Sequence, residues 1–265
     1  MRAAGGPGAA SPATLLEAAA EVARLAGDVA MRHFRTGVAV ETKGDGSPVT
    51  IADRAAETAA REWVRRHFPD DGVLGEELGV ERPEARRRWI MDPIDGTKSF
   101  VRGVPLWGTL IAVAEGETVL AGAAYFPPVG ELLAAAPGEG CWWNGERCRV
   151  SAVARLEEAT VLTTDERFLG QPERATGWRW LSARAAVSRT WGDCYGYLLV
   201  ATGRAEVMVD PVMSPWDAAA LQPIIAEAGG VFTDWDGAAT AFAGSVVATN
   251  AAVAADARRL LHGGV

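Results

Sequence analysis

The chain has 265 residues, 49% hydrophobic and 23% charged, with a formal net charge of −8. That length suits one layered unit with two lobes and a sizeable core, and the negative balance argues against a general nucleic-acid or membrane surface. A phosphate substrate stays open, because bound divalent cations invert the local field.

Met1 to Ala10 is rich in Ala and Gly and lacks the continuous apolar core of a signal peptide. No apolar run approaches the roughly 20 residues needed to span a membrane. A soluble, cytoplasmic protein is expected. Ser11-Pro12 is a helix start, an N-cap followed by Pro at the first helical position. Leu15, Leu16, Ala19, Val22, Ala23 and Ala26 recur at helical spacing, so a helix is expected to about Phe34. Residues 38–49 read as extended or looped around the turn cluster Lys43-Gly-Asp45-Gly-Ser-Pro48. A second helix follows over residues 50–68. Asp53 falls in its first turn, where it either complements the helix dipole or points a base into a site.

Val73-Leu-Gly75-Glu76-Glu77-Leu-Gly79 reads as a strand end or loop, and its glutamates taken alone as a solvated pair. Arg87 and Arg88 read as loop before a short buried strand ending at Met91. Residues 106–114, 118–126, 131–136 and 140–143 read as an antiparallel meander, with a two-residue hairpin at Asn144-Gly145. Cys141 and Cys148 flank that hairpin equally and face each other across it. Free thiols are expected, and the spacing does not match a zinc site. Trp142-Trp143 suits either core burial or an exposed dimer contact.

A second region begins near Ser151, giving lobes 1–150 and 151–265. Strands are expected over residues 160–163, 205–209, 231–233 and 245–249, and helices over 195–202 and 251–262. Residues 178–186 give no clear period. Trp216-Asp217 opens a helix over residues 218–228, closed by Gly229-Gly230 and bent at Pro223.

The stretch Trp89-Ile-Met-Asp92-Pro-Ile-Asp95-Gly-Thr97-Lys98 carries the chemistry. A strand that delivers two aspartates and then turns through glycine suits a metal-phosphate site. Mg²⁺ takes hard oxygen ligands: Asp92 can bridge two ions, the Ile94 carbonyl can add an oxygen, and Asp95 can bind the second ion. Gly96-Thr97 can start a helix whose N–H groups face a phosphate. The bland alternative is an acidic turn with Asp as a helix cap. His33, His67 and His262 form no nucleophilic constellation and read as surface or packing residues.

Asp92-Pro-Ile-Asp95-Gly-Thr97, with Gly75-Glu76-Glu77 upstream and Trp216-Asp217 downstream, resembles the inositol monophosphatase superfamily of metal-dependent phosphatases. The three motifs fall in the family's order across nearly the whole chain. The resemblance implies an α-β-α-β-α layered α/β fold of the inositol monophosphatase and fructose-1,6-bisphosphatase type. It implies Glu76, Asp92, the Ile94 carbonyl, Asp95 and Asp217 as ligands of two or three Mg²⁺ ions, with Mn²⁺ a substitute. It gives Asp53 and Thr97, alongside Glu76, the catalytic work on the attacking water. Lys43 and Ser47-Pro48 fall in a loop that closes over the metals. A homodimer, a small phosphorylated substrate and inhibition by Li⁺ are implied too.

Lys98-Ser-Phe100 resembles both the histidinol-phosphatases and the nucleotide 3′-phosphatases more than the inositol enzymes, and the segment Val101 to Ile111 looks like the histidinol-phosphatase branch. Arg189-Thr-Trp-Gly192-Asp193-Cys-Tyr-Gly-Tyr197 carries Asp where inositol-type enzymes usually have a small neutral residue. Histidinol phosphate carries an amine and an imidazole, and a pocket acid bonds an ammonium by roughly 1.5–3 kcal/mol. Asp193 and Asp210 are candidates for that acidic wall, with Arg189 and Gly96 as further substrate or phosphate contacts. Asp193 equally suits a cap on the helix after it. The alternatives are an inositol or broad sugar-phosphate phosphatase, a 3′-phosphoadenosine nucleotide phosphatase, and a non-catalytic metal-binding relative.

Overall fold

The computed structural model describes residues 10–42, 44 and 48–263; Lys43 and Ser47, expected in the loop over the metals, lie outside the described residues. Helix α1 (Pro12–Met31) starts where the Ser11 hydroxyl accepts from the Thr14 N–H at 3.1 Å, and it stops short of Phe34. Its buried face is mostly alanine (Ala19, Ala23, Ala26 and Ala30), which lets it lie close on a sheet. A hairpin of β1 (Val40–Thr42) and β2 (Pro48–Thr50) leads into α2 (Ile51–His67).

One sheet holds β3 (Gly72–Gly75), β4 (Gly79–Glu81), β5 (Arg87–Asp95), β6 (Gly108–Glu115), β7 (Thr118–Phe126), β8 (Glu131–Ala136), β9 (Gly140–Trp143) and β10 (Glu146–Arg147). Its order is β10-β9-β8-β7-β6-β5-β3-β4, and β3 runs parallel to β5 while the other pairs are antiparallel. The short helix α3 (Thr97–Val101) follows β5. Arg87 and Arg88, expected in a loop, begin β5 instead. Asp71 accepts from Arg87 Nε at 2.7 Å, so the charge has a partner at the sheet.

The second sheet holds β11 (Thr160–Thr163), β12 (Val187–Arg189), β13 (Val207–Asp210), β14 (Gly230–Thr233) and β15 (Val246–Asn250), in the order β12-β11-β13-β15-β14. Here β12, β11 and β13 are mutually parallel. Between its strands run α4 (Pro172–Arg184), α5 (Cys194–Ala201), α6 (Pro215–Ala218) and α7 (Leu221–Glu227); α8 (Ala254–Leu261) closes the chain. The single helix expected over residues 218–228 is two helices. Pro223 sits in the first turn of α7, where its missing N–H has no intrahelical acceptor to lose.

Alternation along the strands builds the layers. Trp89, Met91, Ile111 and Val113 face α1 and α2. Ile90, Leu110 and Ala112 face the middle helices through Leu198 and Ile224, which also meet Met208 and Ala248 of the second sheet. Val161, Val207 and Val209 face Trp178, Leu181 and Leu260 of α4 and α8. The result is α-β-α-β-α. A Cβ on Gly122 of β7 would lie 2.2 Å from the Ala220 carbonyl oxygen, so glycine lets the middle layer approach this closely.

The Asn144-Gly145 hairpin forms as expected, pairing Trp143 with Glu146, and Cys141 and Cys148 are free thiols with sulfurs 3.4 Å apart. Trp142 and Trp143 are half-buried, each with an arginine over its ring, Arg147 at 4.5 Å and Arg204 at 5.2 Å. No helix among the described residues is long and apolar enough to cross a membrane.

Candidate active site

On a regular strand, residues three apart point to opposite faces. Asp92 and Asp95 escape that rule because β5 carries one extra residue against β6: Asp92 pairs with Leu110, but Asp95 pairs with Gly108. This β-bulge at Pro93-Ile94 re-aims the second aspartate. Asp217, from α6, completes the group. Among the described residues, Asp92, Asp95 and Asp217 bring one carboxylate oxygen each to within 4.8 Å of one another.

Each carboxylate has one oxygen anchored by a backbone N–H. Asp92 Oδ1 accepts from Ile94 at 2.9 Å, Asp95 Oδ2 from Cys194 at 2.5 Å, and Asp217 Oδ2 from Ser214 at 2.7 Å. Asp53 Oδ2 accepts from the Thr50 N–H at 2.8 Å and the Thr50 hydroxyl at 2.7 Å. Asp53 and Asp217 share one device: each is the third residue of its helix and closes a capping box. The dipole-side reading of Asp53 is therefore met by Oδ2, while its Oδ1 is buried with no hydrogen-bond partner. The Thr97 hydroxyl donates to the Ile94 carbonyl at 3.0 Å, so a second oxygen-bearing group lies at the bulge.

Glu76 follows β3 and hydrogen-bonds with Asp92. Its loop is held from below. Glu57, fully buried and paired with Arg61 at 2.7 Å, accepts from the N–H groups of Glu77 at 2.8 Å and Leu78 at 3.2 Å.

Burial and mutual repulsion dominate the electrostatics. Asp92 is pushed well above the usual carboxylate range by burial, then by Glu76, Asp95 and Asp217. Asp95 is pushed up by burial and by Asp193 and Asp217, against the opposing Cys194 N–H. Burial lifts Asp217 to about 6 and also raises Asp53. Carboxylates crowded in this way, with one buried oxygen left unpartnered, need a cation to be charged together. The donors are all hard oxygens, which fits Mg²⁺ or a similar divalent ion rather than a soft metal.

Beside this cluster lies a cavity of 300 Å³ whose polar lining includes Asp95, Lys98, Thr164, Asp193, Asp210 and Asp217. Larger hollows of 710 and 620 Å³ lie elsewhere on the surface and reach none of these aspartates. Asp210, at the end of β13, is buried, and both its oxygens are taken: Tyr197 donates its hydroxyl at 2.9 Å and Thr164 its N–H at 3.2 Å. Burial lifts it to about 7. Asp193 precedes α5 with φ 50° and makes no side-chain cap bond; the Gly196 N–H goes to its backbone carbonyl at 3.2 Å, and the Cys194 N–H goes to Asp95. Its carboxylate is not spent on the helix. Burial lifts it to about 6, against the pull of Lys98.

Gly96 adopts φ 89°, and a Cβ there would meet Asp193 Oδ2 at 3.2 Å, so glycine keeps room between the bulge and the pocket acid. Arg189 is not brought to the cluster. It is exposed at the end of β12, an edge strand, and donates to the Ser188 carbonyl at 2.7 Å. Lys98, singled out by its place after the motif, lines the pocket, and one pocket residue, Thr164, escapes the motif reading. Thr164 follows β11, donates its N–H to Asp210 and accepts from the Asp193 N–H at 2.8 Å. The available signal was position, since ligands bind outside the carboxyl ends of parallel strands.

The pattern of the inositol monophosphatase family matches residues 11–263. A protein named histidinol-phosphatase from Chlorobaculum parvum is 45% identical over 223 residues, covering 84% of this chain and 86% of that one. Another of that name from Mycobacterium tuberculosis is 41% identical, covering 80% and 83%. The solved inositol monophosphatase from Zymomonas mobilis superposes with a TM-score of 0.83 at 31% identity, covering 93% of this chain and 96% of that chain.

Proposed function

As this chain belongs to the inositol monophosphatase family, we propose that it is a Mg²⁺-dependent phosphatase that hydrolyses L-histidinol phosphate to histidinol and phosphate. The observation that carries the choice of alcohol is Asp193. Its carboxylate lines the cavity beside Asp95 and Asp217 and makes no helix-cap bond, so it can receive the substrate's ammonium group.

Glu76, Asp92, the Ile94 carbonyl, Asp95 and Asp217 would hold the metal. Bound divalent ions supply Lewis acidity to the phosphoryl group and acidify water. The residues of the chain do the rest. Backbone N–H bonds to Asp92, Asp95 and Asp217 fix each carboxylate before substrate arrives, so little reorganisation is left for the reaction. Asp53 Oδ1 receives the proton of the attacking water, and the Thr97 hydroxyl orients that water from the bulge. Lys98 offers a cation at the cavity wall. Asp210 braces the pocket through Tyr197 and Thr164. A homodimer belongs to the same proposal.

The test is phosphate release with Mg²⁺ on histidinol phosphate, inositol 1-phosphate, fructose 1,6-bisphosphate and a 3′-phosphoadenosine nucleotide, side by side. Histidinol phosphate should be turned over fastest. Comparable rates on inositol 1-phosphate would overturn the assignment.

A further inference from the structure

The most exposed large apolar side chains among the described residues are Leu169, at 72%, and Val212, at 68%. Both line the 300 Å³ cavity that holds Asp193, from different loops. Leu169 follows β11, and Val212 follows β13. Exposed apolar groups placed at a pocket mouth mark a binding surface more often than scattered ones do.

Both loops are held in place. Phe168, just before Leu169, has φ 45°, a costly conformation for a non-glycine residue. It is kept there by packing: its ring is buried, stacked on Trp178 at 6.1 Å and edge-on to Trp235 at 6.0 Å. The Phe168 carbonyl also accepts from the Gln171 N–H at 2.9 Å. Burying Phe168 inward leaves the next side chain outward. Val212 is pinned on both flanks. Arg174 donates to the Pro211 carbonyl, and the Met213 N–H donates to Gly244 at 2.9 Å. Of the five non-glycine residues with positive φ among those described, two, Phe168 and Asp193, line this one cavity.

We propose that Leu169 and Val212 form an apolar clamp for a flat ring on the alcohol part of the substrate, and so select against ringless and polyol esters. This rests on the proposed function: in histidinol phosphate the ring is the imidazole, with its amine left to Asp193. The clamp acts through desolvation of the ring faces, which a polyol does not offer.

The experiment compares wild type with Leu169→Ser/Val212→Ser and with the conservative Leu169→Met/Val212→Ile. The substrates are histidinol phosphate, phenyl phosphate and glycerol 2-phosphate, with Mg²⁺. For the serine variant, kcat/KM on each ring-bearing ester relative to glycerol 2-phosphate should fall about tenfold, chiefly through KM. The conservative variant should restore it. An equal loss on all three esters, or no change on the ring-bearing pair, overturns the clamp. So does a change in oligomeric mass by light scattering, which would make the two side chains a subunit contact. A wild type that ignores histidinol phosphate, while the variants still show the KM effect on phenyl phosphate, overturns the substrate assignment and supports the clamp.

Discussion

The Cys194 N–H donates to Asp95 Oδ2 at 2.5 Å across a separation of 99 residues. One hydrogen bond thus ties the bulge of the first sheet to the start of α5. It fixes the Asp95 carboxylate, and the neighbouring Asp193 side chain makes no cap bond. Asp95→Asn keeps an oxygen for that N–H but loses the charge. Phosphate release should fall at least about 100-fold. The melting temperature of the metal-free variant should equal or exceed wild type, because repulsion with Asp193 and Asp217 is relieved. Calorimetry and a phosphate assay check both; retained turnover would refute a metal-ligand role.

Without divalent cations, stability should fall as pH rises. An acid whose folded pKa lies above its unfolded value holds more protons folded than unfolded between the two. Its contribution is intact below the unfolded value near 4 and is lost as pH climbs through the folded one. Those folded values are about 6 for Asp193 and Asp217 and about 7 for Asp210. In chelator, the melting temperature should therefore drop by about 5 °C or more between pH 4 and 7. Excess Mg²⁺ at pH 7 should recover most of it. A flat profile in chelator would show that the carboxylates are not strained by one another.

Where sequence pattern and tertiary role agree, the chain was legible. β8 and β9 have the expected bounds, because alternation and a two-residue turn are local signals. The carboxylates of the site sit in short motifs, so their residue types and order pointed to hard-cation chemistry. Failures came where a distant partner decides. Arg87 enters a strand because Asp71 meets it. α4 gave no period because Trp178 and Leu181 are buried while Trp180 is 41% exposed. Asp193 makes no side-chain cap bond, and the first N–H of α5, that of Cys194, goes to Asp95, a contact of a range that no sequence pattern carries. The bulge that brings Asp92 and Asp95 together is a relation between β5 and β6, invisible in β5 alone.

Asp53 separates structure from chemistry within one side chain. Asp53→Asn can keep the bonds from Thr50 through its carbonyl oxygen, yet it cannot take a proton at the position of Oδ1. Turnover should drop about 100-fold or more, with the melting temperature within a few degrees of wild type. Thr50→Ala should do the reverse: it removes the cap and costs about 1 kcal/mol of stability. Paired melts and initial rates distinguish the two. A large stability loss in Asp53→Asn would make that residue structural.

Asp193→Asn should lose histidinol phosphate selectively. Its side chain makes no cap bond, so the fold has little reason to suffer. KM for histidinol phosphate should rise about tenfold or more, while that for glycerol 2-phosphate stays near wild type. In wild type, the KM for the ammonium-bearing ester should fall as pH rises and Asp193 ionises. Equal losses on both esters would return Asp193 to a purely structural part.

The glutamate loop should prove intolerant of a single methyl group. A Cβ on Gly75 would lie 2.0 Å from Glu57 Oε1. Glu57 cannot retreat, because Arg61 and the N–H groups of Glu77 and Leu78 hold it in a buried position. Gly75→Ala should therefore cost about 2 kcal/mol and displace Glu76, the next residue. The rise in melting temperature on adding Mg²⁺ should shrink relative to wild type. Arg61→Leu attacks the same scaffold from the other side. It strands the Glu57 charge in the interior at a cost of about 3–5 kcal/mol. A Gly75→Ala protein with an unaltered Mg²⁺ response would show that Glu76 takes its position from elsewhere.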